Sequence, residues 1–218
     1  FCRSIFMDGV TRRFPELNFA FLEGGVGWAV QLYNDLFEHW EKRNYDYMIE
    51  NLDPAKLDTH LIREMAEKYG GGVITGDALV GEAKTSLMGG VVSSDTNLDE
   101  FHRCKISKKE DIRELFVEPF YFGCEADDAM NAIAFNTKIN HFGAKLKAFF
   151  GSDIGHWDVE DIRHCVPDAY KNVEKELFTD QDFEDFMYTN PVTLYTRQNP
   201  DFFKGTIVED QVDQLIAG

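Results

Sequence analysis

Three short apolar runs alternate along the chain with longer stretches of helical spacing. The runs cover residues 17–22, 119–124 and 146–151, and each is too short for a buried helix, so each is predicted to be a strand. Because strands that alternate with helices pair in parallel through right-handed crossovers, we predict one parallel sheet with all three strands.

Helices are predicted over most of the remaining sequence, from apolar residues at helical spacing. Their approximate positions are 28–43, 53–69, 127–142 and a series of short helices between 159 and 198. The stretch 70–105 is rich in Gly and Ser and lacks a sustained period, so we interpret it as an irregular insertion. We interpret residues 205–218 as a tail, and we expect the domain to cover residues 1–204.

Polar residues directly follow two of the predicted strands. Ser152, Asp153 and His156 follow the third strand, and Glu23 follows the first, ahead of two glycines. The carboxyl ends of parallel strands meet at one edge of a sheet and carry the active site in barrels of parallel strands. Glu23 and Asp153 are therefore expected at the same edge.

Four stretches resemble the later motifs of the amidohydrolase superfamily, in the same order. They are Pro-Glu-Leu at 15–17, Phe-Leu-Glu-Gly-Gly-Val-Gly-Trp at 21–28, Phe-Gly-Cys-Glu-Ala-Asp-Asp at 122–128 and Phe-Gly-Ser-Asp-Ile-Gly-His at 150–156. The chain is similar to the amidohydrolase-related, aminocarboxymuconate-semialdehyde-decarboxylase-like branch of metal-dependent hydrolases and decarboxylases. The resemblance spans most of residues 9–199 and is patchy between about 44 and 116.

This resemblance implies an α/β fold, specifically part of a TIM (β/α)8 barrel with extra helices. The three predicted strands match strands six to eight of the family. The first five strands are then expected before Phe1, and residues 1–204 would be the C-terminal part of the barrel.

The resemblance also implies a divalent metal ion, with zinc as the expected metal. Members of the superfamily hold it with a His-x-His pair on the first strand, a mid-barrel histidine or lysine, and an aspartate on the last strand. Asp153 matches that aspartate and is assigned as metal ligand and catalytic residue. This sequence contains no His-x-His, so those ligands are expected upstream. The alternative is that Asp153 only caps a turn.

Three further residues are candidates for the same site, each with an alternative role. Glu23 is assigned as catalytic, either orienting substrate or acting as general acid/base, unless it only caps the helix that follows. His156 is assigned to substrate binding or to supporting Asp153, with an exposed histidine that does neither as its alternative. Trp28 is assigned to substrate binding, with core packing as its alternative.

The remaining acids and histidines carry weaker signals. Glu125, Asp127 and Asp128 follow the second strand, where they either line the site or serve as helix caps and dipole partners. No chemistry is assigned to the other histidines, which are His39, His60, His102, His141 and His164.

Composition excludes several classes of partner. The net charge is −17, which argues against binding nucleic-acid phosphates or an anionic membrane. No apolar run reaches the length of a membrane span. The four cysteines lack paired spacing, which favours reduced thiols in the cytoplasm.

These observations predict a metal-dependent hydrolase or decarboxylase that acts through metal-bound hydroxide. The expected substrate is a small carboxylate, amide or ester, and a homo-oligomer is left open. The alternative is a non-catalytic α/β scaffold that has lost its metal site.

Overall fold

The computed structural model describes residues 1–53, 56–85, 101–159 and 161–217, which form two compact units. Unit 1 comprises Phe1–His39 and Arg103–Gly218, and unit 2 comprises Trp40–His102. The strands are β1 (Phe19–Phe21), β2 (Phe120–Glu125) and β3 (Lys147–Gly151). The α-helices are α1 (Cys2–Met7), α2 (Val10–Arg13), α3 (Gly27–Arg43), α4 (Tyr45–Asn51), α5 (Thr59–Tyr69), α6 (Gly76–Thr85), α7 (Lys109–Val117), α8 (Ala132–Phe135), α9 (Cys165–Glu174), α10 (Asp180–Glu184), α11 (Asn190–Thr196) and α12 (Glu209–Ala217).

The three strands of unit 1 form a parallel sheet with the order β1-β2-β3. Phe19 of β1 aligns with Phe120 of β2, and Phe122 of β2 aligns with Ala148 of β3. The first five residues of β2 are buried, as expected for a central strand covered on both faces. The prediction of one parallel sheet is therefore confirmed.

The partial TIM barrel predicted from the motifs is wrong, because the described residues form an open sheet. Barrel closure requires eight strands with a matched tilt and stagger, and the described part of the chain contains only these three. At β3, the side-chain amide of Asn190 in α11 donates to the carbonyl oxygen of Ala148 at 2.8 Å. A helix, not a fourth strand, therefore satisfies this main-chain acceptor.

Aromatic side chains hold the helices of unit 1 against the sheet. The ring of Phe116 in α7 lies 5.9 Å from that of Phe6, 5.4 Å from that of Tyr33 and 5.1 Å from that of Phe120, centroid to centroid. These distances are typical of favourable aromatic pairs. The contacts join α1, α3 and α7 to the central strand.

Helix boundaries differ from the sequence prediction in several places. The predicted helix 127–142 is broken into a 3-10 turn at Ala129–Asn131, α8, and a 3-10 turn at His141–Gly143. The predicted tail contains α12, with Val212 buried. Within the stretch expected to be irregular, α6 is helical, and residues 86–100 lie outside the described part of the chain.

Unit 2 contains α4, α5 and α6. Asp58 caps α5, since its carboxylate accepts hydrogen bonds from the main-chain N–H groups of His60 and Leu61 at 3.1 and 2.9 Å. Arg63 of α5 pairs with Asp77 of α6 at 3.0 Å. Across the described residues of both units, no helix has the length and hydropathy needed to cross a membrane.

Candidate metal centre

The corner after β1 places Glu23 at the carboxyl edge of the sheet. Glu23 follows the last strand residue, Phe21, by two positions and has a φ of +57°. This left-handed conformation is uncommon for residues other than glycine. Gly25 also has a positive φ, +61°, and α3 begins at Gly27. Two left-handed residues thus turn the chain sharply from strand to helix and leave the Glu23 side chain exposed.

The corner after β3 repeats this geometry. Asp153 follows the last strand residue, Gly151, by two positions and has a φ of +52°. Its main-chain carbonyl accepts a hydrogen bond from the N–H of His156 at 3.2 Å, and Gly155 between them has a φ of +107°. The resulting turn brings the His156 side chain back to the carboxylate of Asp153.

Glu23, Asp153 and His156 converge at this edge. Each offers one ligand atom, and the three atoms lie within 4.8 Å of one another. His156 Nδ1 lies 2.8 Å from Asp153 Oδ2, with the histidine side chain 60% exposed and the aspartate side chain 30% exposed. The expectation that the two acids share one edge is therefore confirmed, and His156 joins them.

The three donors fit a divalent cation. Zinc binds carboxylate oxygen and imidazole nitrogen at about 2.0–2.2 Å, so its ligand atoms lie at most about 4.4 Å apart. Small rotations of the Glu23 and His156 side chains, which are exposed, would bring ligand atoms within the observed limit of 4.8 Å to this separation. Three protein ligands leave a coordination position for water or substrate, as in catalytic rather than structural zinc sites.

Trp28 lies beside this cluster and also packs on the sheet. Its ring centroid is 5.5 Å from those of Phe21 and Phe122 in edge-to-face geometry, while 37% of the residue remains exposed. A Cβ atom on Gly24 would lie 3.3 Å from the indole Nε1, so the indole covers the residue next to Glu23. Trp28 therefore packs against the core, and its substrate contact stays a prediction.

A cleft of about 610 Å³ adjoins Asp153. Its wall contains six acidic side chains and one histidine: Glu125, Asp127, Asp153, Asp158, Asp161, Asp168 and His164. Asp128, which the sequence grouped with Glu125 and Asp127, instead caps the 3-10 turn Ala129–Asn131 through the N–H of Met130 at 2.8 Å. The acids after β2 thus divide between the two roles that the sequence left open.

Besides Asp153, which contacts His156, two acids in the cleft wall pair with a lysine or an arginine. Asp161 binds Arg163 at 2.6 Å, and hydrogen bonds from that guanidinium hold the pKa of Asp161 below its ordinary value. Asp168 binds Lys171 at 2.5 Å, and this hydrogen bond raises the pKa of Lys171. Lys171 also attracts Asp127 electrostatically.

Sequence reasoning missed four residues of the cleft, which are Asp161, His164, Cys165 and Asp168. They lie on the 3-10 turn Ile162–His164, on the residue before it and on α9. Acids at the start of a helix usually act as caps, so their spacing alone gave no signal.

All four cysteines of the chain are free and buried. Burial and the nearby Asp128 raise the pKa of Cys124 to about 12, which leaves its thiol protonated.

Comparison with protein-family models, curated proteins and solved structures gives no match to this chain. The resemblance to the amidohydrolase superfamily therefore depends on the four motifs alone.

Proposed function

We propose that this protein is a metal-dependent hydrolase or decarboxylase related to the amidohydrolase superfamily, with its metal held by Glu23, Asp153 and His156. The observation that supports this proposal is the convergence of three ligand atoms within 4.8 Å at the carboxyl edge of a parallel sheet. The motifs support this only in part: the resemblance assigns Asp153 as a metal ligand and places Glu23 and His156 at the same site in other roles.

Each side chain of the proposed site is assigned a chemical role from its contacts. A divalent ion held there, expected to be zinc, would lower the pKa of a bound water towards about 7. His156 Nδ1 engages one oxygen of Asp153 at 2.8 Å, so His156 would hold the ion through Nε2. The other oxygen of Asp153 is available to hold the ion or accept a proton from the attacking water. Glu23 can assist as general acid/base on the leaving group, and Trp28 provides an aromatic wall for the substrate.

The same proposal concerns the location of the protein. Four buried cysteines without disulfides support a reducing compartment, and we propose the cytoplasm.

Metal uptake by the purified, metal-stripped protein tests the assignment. We expect one Zn²⁺ per chain after dialysis, and a Co²⁺-loaded sample should show the absorption bands of a low-coordinate site. Asp153→Asn and Glu23→Gln should each weaken Zn²⁺ binding by about 10-fold or more, by analogy with the loss of metal-site groups.

Glu16→Gln is the matched control, because Glu16 is an exposed acid that precedes β1 and lies outside the cluster. It should bind Zn²⁺ like the wild type. Equal uptake by the wild type and Asp153→Asn would contradict the proposal and favour the non-catalytic scaffold.

A further inference from the structure

The negative charge of the cleft beside Asp153 indicates which kind of substrate binds, a question that the motifs leave open. The inference builds on the proposed function, because it takes the cleft to be where the substrate binds. A volume of about 610 Å³ lies within the range of small-molecule sites, which is about 300–1,000 Å³. The cleft can therefore hold more of a substrate than the group that reacts.

The cleft keeps a negative charge even when a metal ion is bound. A divalent ion held by Glu23 and Asp153 would balance those two acids, and Arg163 and Lys171 balance Asp161 and Asp168. Glu125, Asp127 and Asp158 then remain, and Lys171, which also attracts Asp127, is already engaged by Asp168.

Among the described residues, the cleft wall also contains no fixed positive charge. No lysine or arginine is among the residues that line it in the described part of the chain. His164 lies 3.8 Å from Asp161 and shares that carboxylate with Arg163. Even a protonated His164 would leave more negative than positive charge in the wall.

We infer that the substrate carries a cationic group, such as an ammonium or guanidinium, which enters the cleft while the scissile bond lies at Asp153. Walls of one sign focus the electrostatic field and concentrate ligands of opposite charge. The reacting group itself lies at Asp153, outside the reach of this argument. For hydrolysis, the inference predicts a cationic ester or amide as the substrate.

Three p-nitrophenyl esters that differ only at the far end of the acyl chain test this inference. The end groups are trimethylammonium, tert-butyl and carboxylate, so the first two match in shape and differ in charge. With the Zn²⁺-loaded protein at low salt, we expect kcat/KM for the cationic ester to exceed that of the neutral ester by about 10-fold, with the anionic ester lowest. The preference should shrink in high salt, since the Debye length falls to about 3 Å at 1 M.

Variants of the cleft wall identify the residues responsible. Glu125→Gln and Asp158→Asn each remove one unbalanced charge from an exposed side chain, so neither threatens folding. Each should reduce the preference for the cationic ester by about 2-fold to 3-fold, in line with a charge near a protein surface. Glu16→Gln removes the same charge away from the cleft and should leave the preference unchanged.

Binding of the non-hydrolysable ether analogues, measured by calorimetry, separates the two proposals. Tighter binding of the cationic ether without hydrolysis of any ester would support the inference and overturn the proposed function. Hydrolysis without a preference for the cationic ester would overturn the inference and leave the function standing. Neither hydrolysis nor preferential binding would overturn both.

Discussion

Unit 1 contains two clusters that each combine two carboxylates with one basic side chain. The first is the candidate site, formed by Glu23, Asp153 and His156. The second, the lysine cluster, consists of Lys145, Asp182 and Asp185, with Lys145 Nζ 2.8 Å from Asp182 and 3.2 Å from Asp185. The side chain of Asp182 is only 12% exposed. The two clusters have similar composition but differ in their electrostatics and backbone.

In the lysine cluster, every charged group has a fixed partner. Asp182 belongs to the capping box of α10, where it binds the N–H and the hydroxyl of Thr179 at 3.0 and 2.7 Å. Burial acts to raise the pKa of Asp182, but hydrogen bonds from Lys145 and Thr179 outweigh it and hold the pKa below its ordinary value. The cluster is therefore satisfied without any ligand.

The candidate site has the opposite character. Glu23 and Asp153 both have left-handed backbone conformations, which cost free energy, and no lysine or arginine pairs with either among the described residues. His156 is the sole basic contact of Asp153 there. The two clusters therefore differ in compensation by partners rather than in residue type, and this difference separates the lysine cluster from the proposed metal site.

The sharpest test of this difference is Asp153→Asn. In the Zn²⁺-loaded protein, turnover should fall by about 10²–10⁴-fold, because a proton acceptor and a negative charge at the metal disappear together. The melting temperature of the metal-free protein should hardly change, since the side chain keeps its size. Near-normal turnover with the metal retained would show that Asp153 is only a turn residue.

The reverse pattern is expected for Asp182→Asn. Its free energy of unfolding should fall by about 1–3 kcal/mol, because charge-assisted hydrogen bonds are lost and Lys145 loses a partner. The lower part of this range is favoured because Lys145 is partly exposed and screened by solvent. Urea unfolding measures the change, with Asp180→Asn, an exposed acid in the first turn of the same helix, as a control that should differ little from the wild type.

The lysine cluster should also make the free energy of unfolding depend on pH in the acid range. Because the pKa of Asp182 in the folded state lies below the unfolded value of about 3.9, its stabilisation is complete above that value. It is lost as the pH falls through the folded pKa. Between pH about 5 and 2, wild-type stability should therefore fall more steeply than that of Asp182→Asn. Parallel curves for the two proteins would contradict this role.

The smallest expected effect concerns the left-handed backbone. Glu23→Gly should change the stability of the metal-free protein by less than about 1 kcal/mol, because relief of strain offsets the greater freedom of the unfolded chain. Glu176→Gly is the control, since Glu176 has the same φ of +57° two residues after the end of α9. Both variants should behave alike in thermal melts, but only Glu23→Gly should lose Zn²⁺ binding.

That the two acids lie at one edge could be predicted, because it depends on strand direction. Parallel strands bring their carboxyl ends to one edge, so Glu23 and Asp153 share that edge once β1 and β3 belong to one sheet; their convergence across β2 also needs the left-handed corners after the strands. His156 follows Asp153 by three positions, and a tight turn suffices to bring them together. The cleft could not be predicted in full, because Asp161 and Asp168 reach it through the path of the chain after Asp158, which no periodicity specifies.

The fold was harder to predict where side chains compete with the backbone. The expected helix 127–142 fails at Asn136 and Asn140. Asn136 Oδ1 accepts from the N–H groups of Lys138 and Ile139, and Asn140 Nδ2 donates to the carbonyls of Ile133 and Ala134. Such local bonds replace helical ones. The prediction of a barrel was wrong for another reason. The order of the motifs identifies neighbouring strands but says nothing about how many strands close a sheet.

The order of the strands has a mechanical consequence. Glu23 and Asp153 follow the two outer strands, β1 and β3, while β2 between them supplies none of the three residues in the cluster. A cation bound there would cross-link the segments that follow the two outer strands, which lie far apart in the sequence. At a free concentration 100 times its dissociation constant, a ligand that binds only the folded state adds about 2.7 kcal/mol to the free energy of unfolding. The bound cation would therefore stabilise the two outer strands as well as take part in catalysis.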